Sequence, residues 1–456
     1  MSGHKEKFLK ESSIAFDKKH RKTINFNISR YNEAVSRGKL RYRNMELAKQ
    51  RASYIKSKVV KNMAGYLEDF EKNAGKNGIE IIWARNGNEA VNEILRILKE
   101  NEARLLVKSK SMISEEIELN ENVEKSGVEP VETDLGEFIV QVAGEKPYHI
   151  LTPAMHKSKE DVARLFNEKF NTPPDSSPEE LTRFVRDKLR KQFTSAEIGV
   201  TGANFLVADI GGVVLTENEG NGCMSVSFPK VHIVITGMEK ILPSVKDLPL
   251  FLPLLSAMGT GQQLTVYNSL LTGPKKENES NGPEKMVVVL LDNKRTEIAQ
   301  AEEQSQALKC IRCGACLNAC PIYKNVGGYT YNTTYSGPIG SVISPFLNGF
   351  ENYGHLSFAC TVCGACTEVC PVKIPLHELL LNNRETSVEM KLGGTKWDIG
   401  MKMYEFAFKK RKNLDIINGN VKNSLLHLDR KILGKEKEIP SFAKLSFSKL
   451  WKLNKI

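Results

Sequence analysis

Cys310-Ile-Arg-Cys313-Gly-Ala-Cys316-Leu-Asn-Ala-Cys320-Pro321 and, further on, Cys360-Thr-Val-Cys363-Gly-Ala-Cys366-Thr-Glu-Val-Cys370-Pro371 are two copies of one pattern, C-x2-C-x2-C-x3-C-P. Together they hold eight of the nine cysteines. Thiolates in this arrangement wrap four-iron, four-sulfur clusters, and in two-cluster ferredoxins the fourth cysteine of each run ligates the other cluster. The spacing therefore assigns Cys310, Cys313, Cys316 and Cys370 to one [4Fe-4S] cluster and Cys360, Cys363, Cys366 and Cys320 to a second. Structural zinc uses cysteine pairs and has no need of the third thiol or of the Cys-Pro ending. Disulfides do not suit the reducing compartment expected below. Cys223, alone beside Gly222, reads as a small packed residue.

Outward from the motifs, the 39 residues between Cys320 and Cys360 are long for a minimal ferredoxin and leave room for helices. Residues 292–309 read as a polar helical connection, and 376–384 as a helix. The preceding region alternates strands with helices: a strand at 79–83, a helix at 88–99, strands at 104–107 and 128–132, an extended segment at 149–153, and helices at 159–170 and 178–193. Strands at 205–208, 212–216, 225–227, 231–236, 264–271 and 285–291 follow. Such alternation implies parallel βαβ units with a sheet covered on both faces. Ligands then gather in loops at the carboxyl ends of the strands.

Four segments are expected: a basic N-terminal arm and helix (1–60), an α/β domain (61–295), a di-cluster domain (296–385) and a basic helical tail (386–456). Residues 1–60 carry a net +11 and residues 391–456 a net +10 within a whole-chain charge of +11, so the body between is acidic. The basic ends are either solvated helix surface or a docking face for an acidic partner or anionic membrane. No recognition motif accompanies the charge, so nucleic acid is not an expected partner. The longest apolar run, Leu248 to Met258, is broken by Pro249 and Pro253 and is about half the roughly 20 residues a bilayer requires. With no signal-peptide pattern at the N-terminus, a cytoplasmic location is expected.

Candidate ligand-binding residues are Lys108, Ser109, Asn204, Glu217 and Asn218. Lys108-Ser-Lys-Ser, between a strand and a helix, either holds an anion at the helix N-terminus or is an ordinary polar loop. Glu217, Glu219 and Glu239 are candidate acids or bases, against the commoner reading of solvated carboxylates. His149, His156 and His232 read as hydrogen-bonded core residues. No G-x-G-x-x-G, G-x4-G-K-[ST] or G-x-S-x-G is present, so no catalytic site is assigned.

Val107-Lys-Ser-Lys-Ser-Met112 with Glu115-Glu116, Glu132-Thr-Asp-Leu-Gly136, Gly199-Val-Thr-Gly-Ala-Asn-Phe205, Glu217-Asn-Glu-Gly-Asn221, Gly273-Pro274, Gly282-Pro283 and Cys-Ile-Arg-Cys-Gly-Ala-Cys occur here in one order. Over about residues 60–385 this combination resembles the lactate utilisation protein B family. The resemblance implies an α/β LUD domain likened to sugar-phosphate isomerase and coenzyme A transferase folds, then a helical ferredoxin-like module with two [4Fe-4S] clusters. It also implies an electron-transfer subunit of a complex oxidising L-lactate to pyruvate, beside a cysteine-rich subunit and a smaller LUD-domain subunit. Family ligands transfer onto Cys310, Cys313, Cys316, Cys320, Cys363, Cys366 and Cys370, and the second motif itself supplies Cys360. The alternatives are a catalytic α/β subunit, or an electron-transfer subunit of another 2-hydroxy acid or glycerol-phosphate dehydrogenase complex.

Overall fold

Among the described residues, ten strands form where β-branched and leucine-rich runs leave amphipathic helices on either side: β1 (Ile79–Ala84), β2 (Leu105–Lys108), β3 (Glu129–Glu132), β4 (Ile198–Thr201), β5 (Phe205–Val207), β6 (Gly212–Glu217), β7 (Val231–Gly237), β8 (Ile241–Leu242), β9 (Tyr267–Leu271) and β10 (Lys285–Leu291). The computed structural model describes residues 3–428 and 440–454. Residues 1–2 of the expected arm and 429–439 and 455–456 of the expected tail lie outside the described residues.

Six strands make one wholly parallel sheet in the order β1-β10-β7-β4-β2-β3. Its central strands are buried on both faces, which is why β7 and β10 read as continuous apolar runs rather than as alternating ones. Ile233, Ile235, Val287 and Val289 pack with Val91, Ile94 and Leu98 of the helix Gly87–Glu100. The intervening Val234, Val288 and Leu290 pack with Leu67 and Phe70 of the helix Met63–Lys76. A smaller mixed sheet, β8-β5-β6-β9, adjoins this second face.

Two segments differ from the sequence reading. Ser225–Ser227 belongs to a helix, Asn221–Ser227, because the Glu217 carboxylate accepts hydrogen bonds from the Gly222 and Cys223 amides and starts a helical turn there. Residues 149–153 form a turn, because the His149 imidazole accepts from the Leu151 and Thr152 amides. Two strands, β4 and the two-residue β8, fall outside the sequence reading. Gly199 in β4 reads as loop, yet glycine is required because a Cβ there would lie 1.8 Å from the Ser225 carbonyl oxygen.

The chain divides into two units, Met1–Thr386 and Ser387–Ile456. In the first, one apolar core joins Ile24 and Ile28 of the helix Lys18–Lys39, Phe251 and Leu254 of the helix Leu248–Gly259, and Leu317, Ile339 and Val342 of the cysteine-bearing segment. The N-terminal segment is thus packed structure rather than a loose arm, with His20 hydrogen-bonded to the Tyr148 hydroxyl at 2.8 Å. Between the two motifs the chain is helical at Pro321–Val326, Gly337–Asn348, Phe350–Tyr353 and His355–Phe358. The second unit, by itself, contains the helices Thr395–Lys409, Arg411–Asp415, Gly419–Leu428 and Phe447–Lys452. Among the described residues no helix is long and apolar enough to cross a membrane.

Candidate iron–sulfur centres and adjoining cleft

Each cysteine motif folds into the same turn. Arg312 and Val362, third in their motifs, take left-handed backbone conformations (φ 61° and 55°), and Gly314 and Gly364 follow at φ 73° and 79°. Glycine adopts this region freely, whereas a β-branched residue such as Val362 is strained there. Short helices, Ala315–Ala319 and Ala365–Val369, then carry the third cysteine, and the proline after the fourth redirects the chain. Backbone amides of Arg312, Val362 and Ile374 point at the sulfurs of Cys310, Cys360 and Cys370 at 3.4, 3.2 and 3.3 Å. The Tyr323 amide does the same for Cys320 at 3.5 Å.

The turns bring the cysteines into two groups of four. Cys310, Cys313, Cys316 and Cys370 line one small cavity with Ile150, Leu317, Ile339 and Val372. Cys316 lies within electrostatic range of Cys310, Cys313 and Cys370. Cys366 lies within range of Cys320, Cys360 and Cys363. Each group therefore draws three sulfurs from one motif and its fourth from the other. Burial pushes the Cys366 thiol up to about 12 and raises Cys313 and Cys316 as well, so holding these thiolates requires a cationic partner. Among the described residues no three cysteines bring sulfurs within 4.8 Å of one another. Tetrahedral zinc, with Zn–S near 2.3 Å, needs sulfurs about 3.8 Å apart. The donor set fits a larger, multi-iron group.

The first turn rests on a buried charge network. Arg295, 2% exposed, donates to both Glu116 oxygens at 2.9 and 2.8 Å and through Nε to Glu239 at 2.6 Å. Arg312 reaches the other Glu239 oxygen at 3.4 Å and stacks over Tyr335, whose hydroxyl donates to Glu116 at 2.5 Å. Burial alone would raise the Glu239 carboxyl, but Arg295, Arg312 and Lys240 outweigh it and hold it at about 2. Glu239 is thus a structural anion rather than an acid or base. No sequence motif marks this network. The nearest signal is the charged pair Glu239-Lys240 directly after the apolar strand β7.

Beside this turn, at the carboxyl ends of β2, β4 and β7, a cleft of about 370 Å³ opens, a volume typical of small-molecule sites. Of the five candidate ligand-binding residues it is lined by Ser109, Asn204, Glu217 and Asn218, and also by Lys110, Asp134, Glu219, Lys240, Arg312 and Cys313. Lys108 lies apart from them. Its side chain is fully buried and its ammonium contacts Glu132 at 2.7 Å, Glu115 at 3.0 Å and Ser114 at 2.8 Å, while Ser111 caps the next helix. The side chains of Lys108, Lys110 and Ser111 in this loop are therefore satisfied internally. His232 is buried on Thr201 at 2.8 Å, His156 pairs with Glu145, and Cys223 is half-buried against Ser269, so none of these faces the cleft as an acid, base or nucleophile.

The LUD domain family matches residues 67–291, and the 4Fe-4S dicluster domain family matches 306–374. Lactate utilization protein B of Bacillus licheniformis is 44% identical over 77% of this chain and 76% of its own. The Bacillus subtilis protein of the same name is 43% identical over 77% and 75%. Uncharacterized electron transport protein YkgF of Escherichia coli is 39% identical over 79% and 75%. A solved DUF162 family structure from Deinococcus radiodurans covers 50% of this chain and 98% of its own at 13% identity and a TM-score of 0.28.

Proposed function

The chain belongs to the lactate utilization protein B family, and on that premise we propose that it is the iron–sulfur electron carrier of a cytoplasmic assembly oxidising L-lactate to pyruvate. The carrying observation is the pair of four-cysteine groups, one against the α/β cleft and one toward the surface. Cys310, Cys313, Cys316 and Cys370 would hold one [4Fe-4S] cluster, and Cys360, Cys363, Cys366 and Cys320 the other; each cluster, when bound, accepts and passes on single electrons. The chain's own residues make this a directed path. The buried Arg312, Arg295 and Glu239 fix the inner turn in place. Cys363 is exposed and leaves the outer turn open to an electron acceptor. The partners proposed are a cysteine-rich subunit and a smaller LUD-domain subunit.

Anaerobically purified protein should contain about eight irons and eight acid-labile sulfides and give paramagnetic signals on reduction. A colourless, zinc-loaded protein would overturn the cluster reading. Mixed with its partner subunits, the loaded chain should accept electrons from L-lactate. Equal or faster reduction by glycolate or glycerol phosphate would transfer the assignment to another dehydrogenase complex.

A further inference from the structure

Three buried ammonium groups surround the inner cysteine group without a carboxylate of their own. Lys56, 1% exposed, belongs to the helix Met45–Lys61 and donates to the backbone carbonyls of Glu239 and Ile241. Lys240, 7% exposed, lies in the short turn Met238–Lys240 after β7. Lys309, 5% exposed, immediately precedes Cys310 and donates to the Ser53 hydroxyl and the Gln306 side-chain oxygen, both at 3.4 Å. None of the three forms an ion pair with a carboxylate among the described residues. The anionic groups facing Lys56 and Lys240 are Glu239 and Cys310, and the one facing Lys309 is Cys370. Glu239 is already held by Arg295 at 2.6 Å and by Arg312 at 3.4 Å. What remains for the three ammoniums is Cys310 and Cys370, both of the inner group, which are anions when they ligate.

A buried ammonium needs an anion close by. Burial draws Lys56 down to about 7 and Lys240 to about 8, and the Cys310 sulfur is one of the groups that opposes it. The outer group is furnished differently. The strongest charges acting on Cys320 and Cys366 are those of other cysteines, and the cation beside Cys360, Arg384, is spent on the Ser357 and Cys360 carbonyls at 3.0 and 2.6 Å. We propose that Lys56, Lys240 and Lys309 are the counter-cations of the inner [4Fe-4S] centre and keep it reducible although it is enclosed. Reduction adds one electron, and so one negative charge, which a buried site resists and neighbouring positive charge favours. The inference rests on the electron-carrier reading above. The three lysines act on the potential of the centre and touch no substrate, so they are tuning residues rather than catalytic ones.

Titration of the anaerobically prepared, iron-loaded full chain with dithionite, followed by the paramagnetic signal of each reduced centre, tests the proposal. The signal that Cys363→Ser alters is the outer one. Lys56→Met and Lys240→Met replace the charge with an apolar chain. Each should disfavour reduction of the inner centre by about tenfold or more, a fall of about 59 mV in its midpoint, and leave the outer midpoint in place. Iron content should stay at the wild-type level, because methionine in a buried site removes a charge rather than stranding one. Lys240→Arg keeps the charge and should keep the wild-type midpoint. An unchanged inner midpoint in the iron-loaded methionine variants overturns the proposal, and so does an equal shift of both centres, which would report only the net charge of the chain. If either variant fails to load, Lys309→Met, on the Cys370 side, decides by the same criterion. A wild-type chain that takes up no iron would sink the electron-carrier reading itself, whereas a loaded chain whose midpoints ignore these lysines would sink this inference alone.

Discussion

The two cysteine turns share a backbone and differ in everything around it. Both pass through left-handed conformations at their third and fifth positions, and both aim an amide at their first sulfur. The first packs Gly314 against Ile150 and Leu151, borders the cleft through Cys313, and anchors Arg312 in a buried ion network. The second leaves Cys363 exposed and puts Val362 where the first has Arg312. The repeated pattern therefore fixes the turn, while its surroundings assign the roles of inner and outer terminal.

Crossed grouping gives the largest effect by which the comparison can fail. Cys370→Ser should abolish the inner centre and Cys320→Ser the outer one, each removing about half of the iron, with the remaining cluster's spectrum identifying the survivor. If Cys370→Ser instead removes the cluster of its own motif, the grouping is wrong.

Removing the support of one turn should be nearly as damaging. Arg295→Met leaves Glu116 and Glu239 buried with their main cation gone, which costs about 3–5 kcal/mol in denaturant unfolding. It should also loosen the inner centre before the outer. The same network predicts a pH slope. Glu239 is depressed from its ordinary 4.5 to about 2, so its contribution is fully present above about pH 4.5 and is lost as pH falls toward 2. Glu239→Gln should flatten that part of an acid-unfolding profile followed by circular dichroism.

Exposure separates the turns without any mutation. In air or with an iron chelator, the signal of the centre built on exposed Cys363 should decay first, and the centre enclosed by Ile150, Ile339 and Val372 later. Simultaneous loss would remove the basis for calling one of them outer.

How much of this is written in the sequence depends on whether neighbours in space are neighbours in the chain. The cysteine motifs are local, so their spacing gives turn and chemistry together, whereas the fourth sulfur of each group, Cys370 or Cys320, comes from the other motif far along the chain. Strands such as Val231–Gly237 and Lys285–Leu291 are legible because burial on both faces demands continuous apolar residues. Strand β4 is not, because its Gly199 answers to Ser225, far along the chain. Lys108 stood out as a cation in a loop, yet three carboxylate- and hydroxyl-bearing residues bury it. Arg295 gives no such signal and stands out only because folding buries it between Glu116 and Glu239, far away in the chain.

The smallest effects come from the third residue of each turn, where one substitution should have opposite signs. Val362, half-buried at φ 55°, carries the strain of a β-branched side chain in the left-handed region, about 1–2 kcal/mol. Asparagine tolerates that region, so Val362→Asn should stabilise the protein by about 0.5–1 kcal/mol once the lost apolar contact is subtracted. Arg312 sits at φ 61° in the matching place, but its guanidinium holds Glu239 and covers Tyr335. Arg312→Asn relieves comparable backbone strain and still destabilises by about 2–3 kcal/mol, because a buried carboxylate loses a charged donor. Urea midpoints of the two variants, measured with both clusters loaded, should move in opposite directions. Movement in the same direction would mean that the turns are interchangeable and that the buried network does not distinguish the inner from the outer.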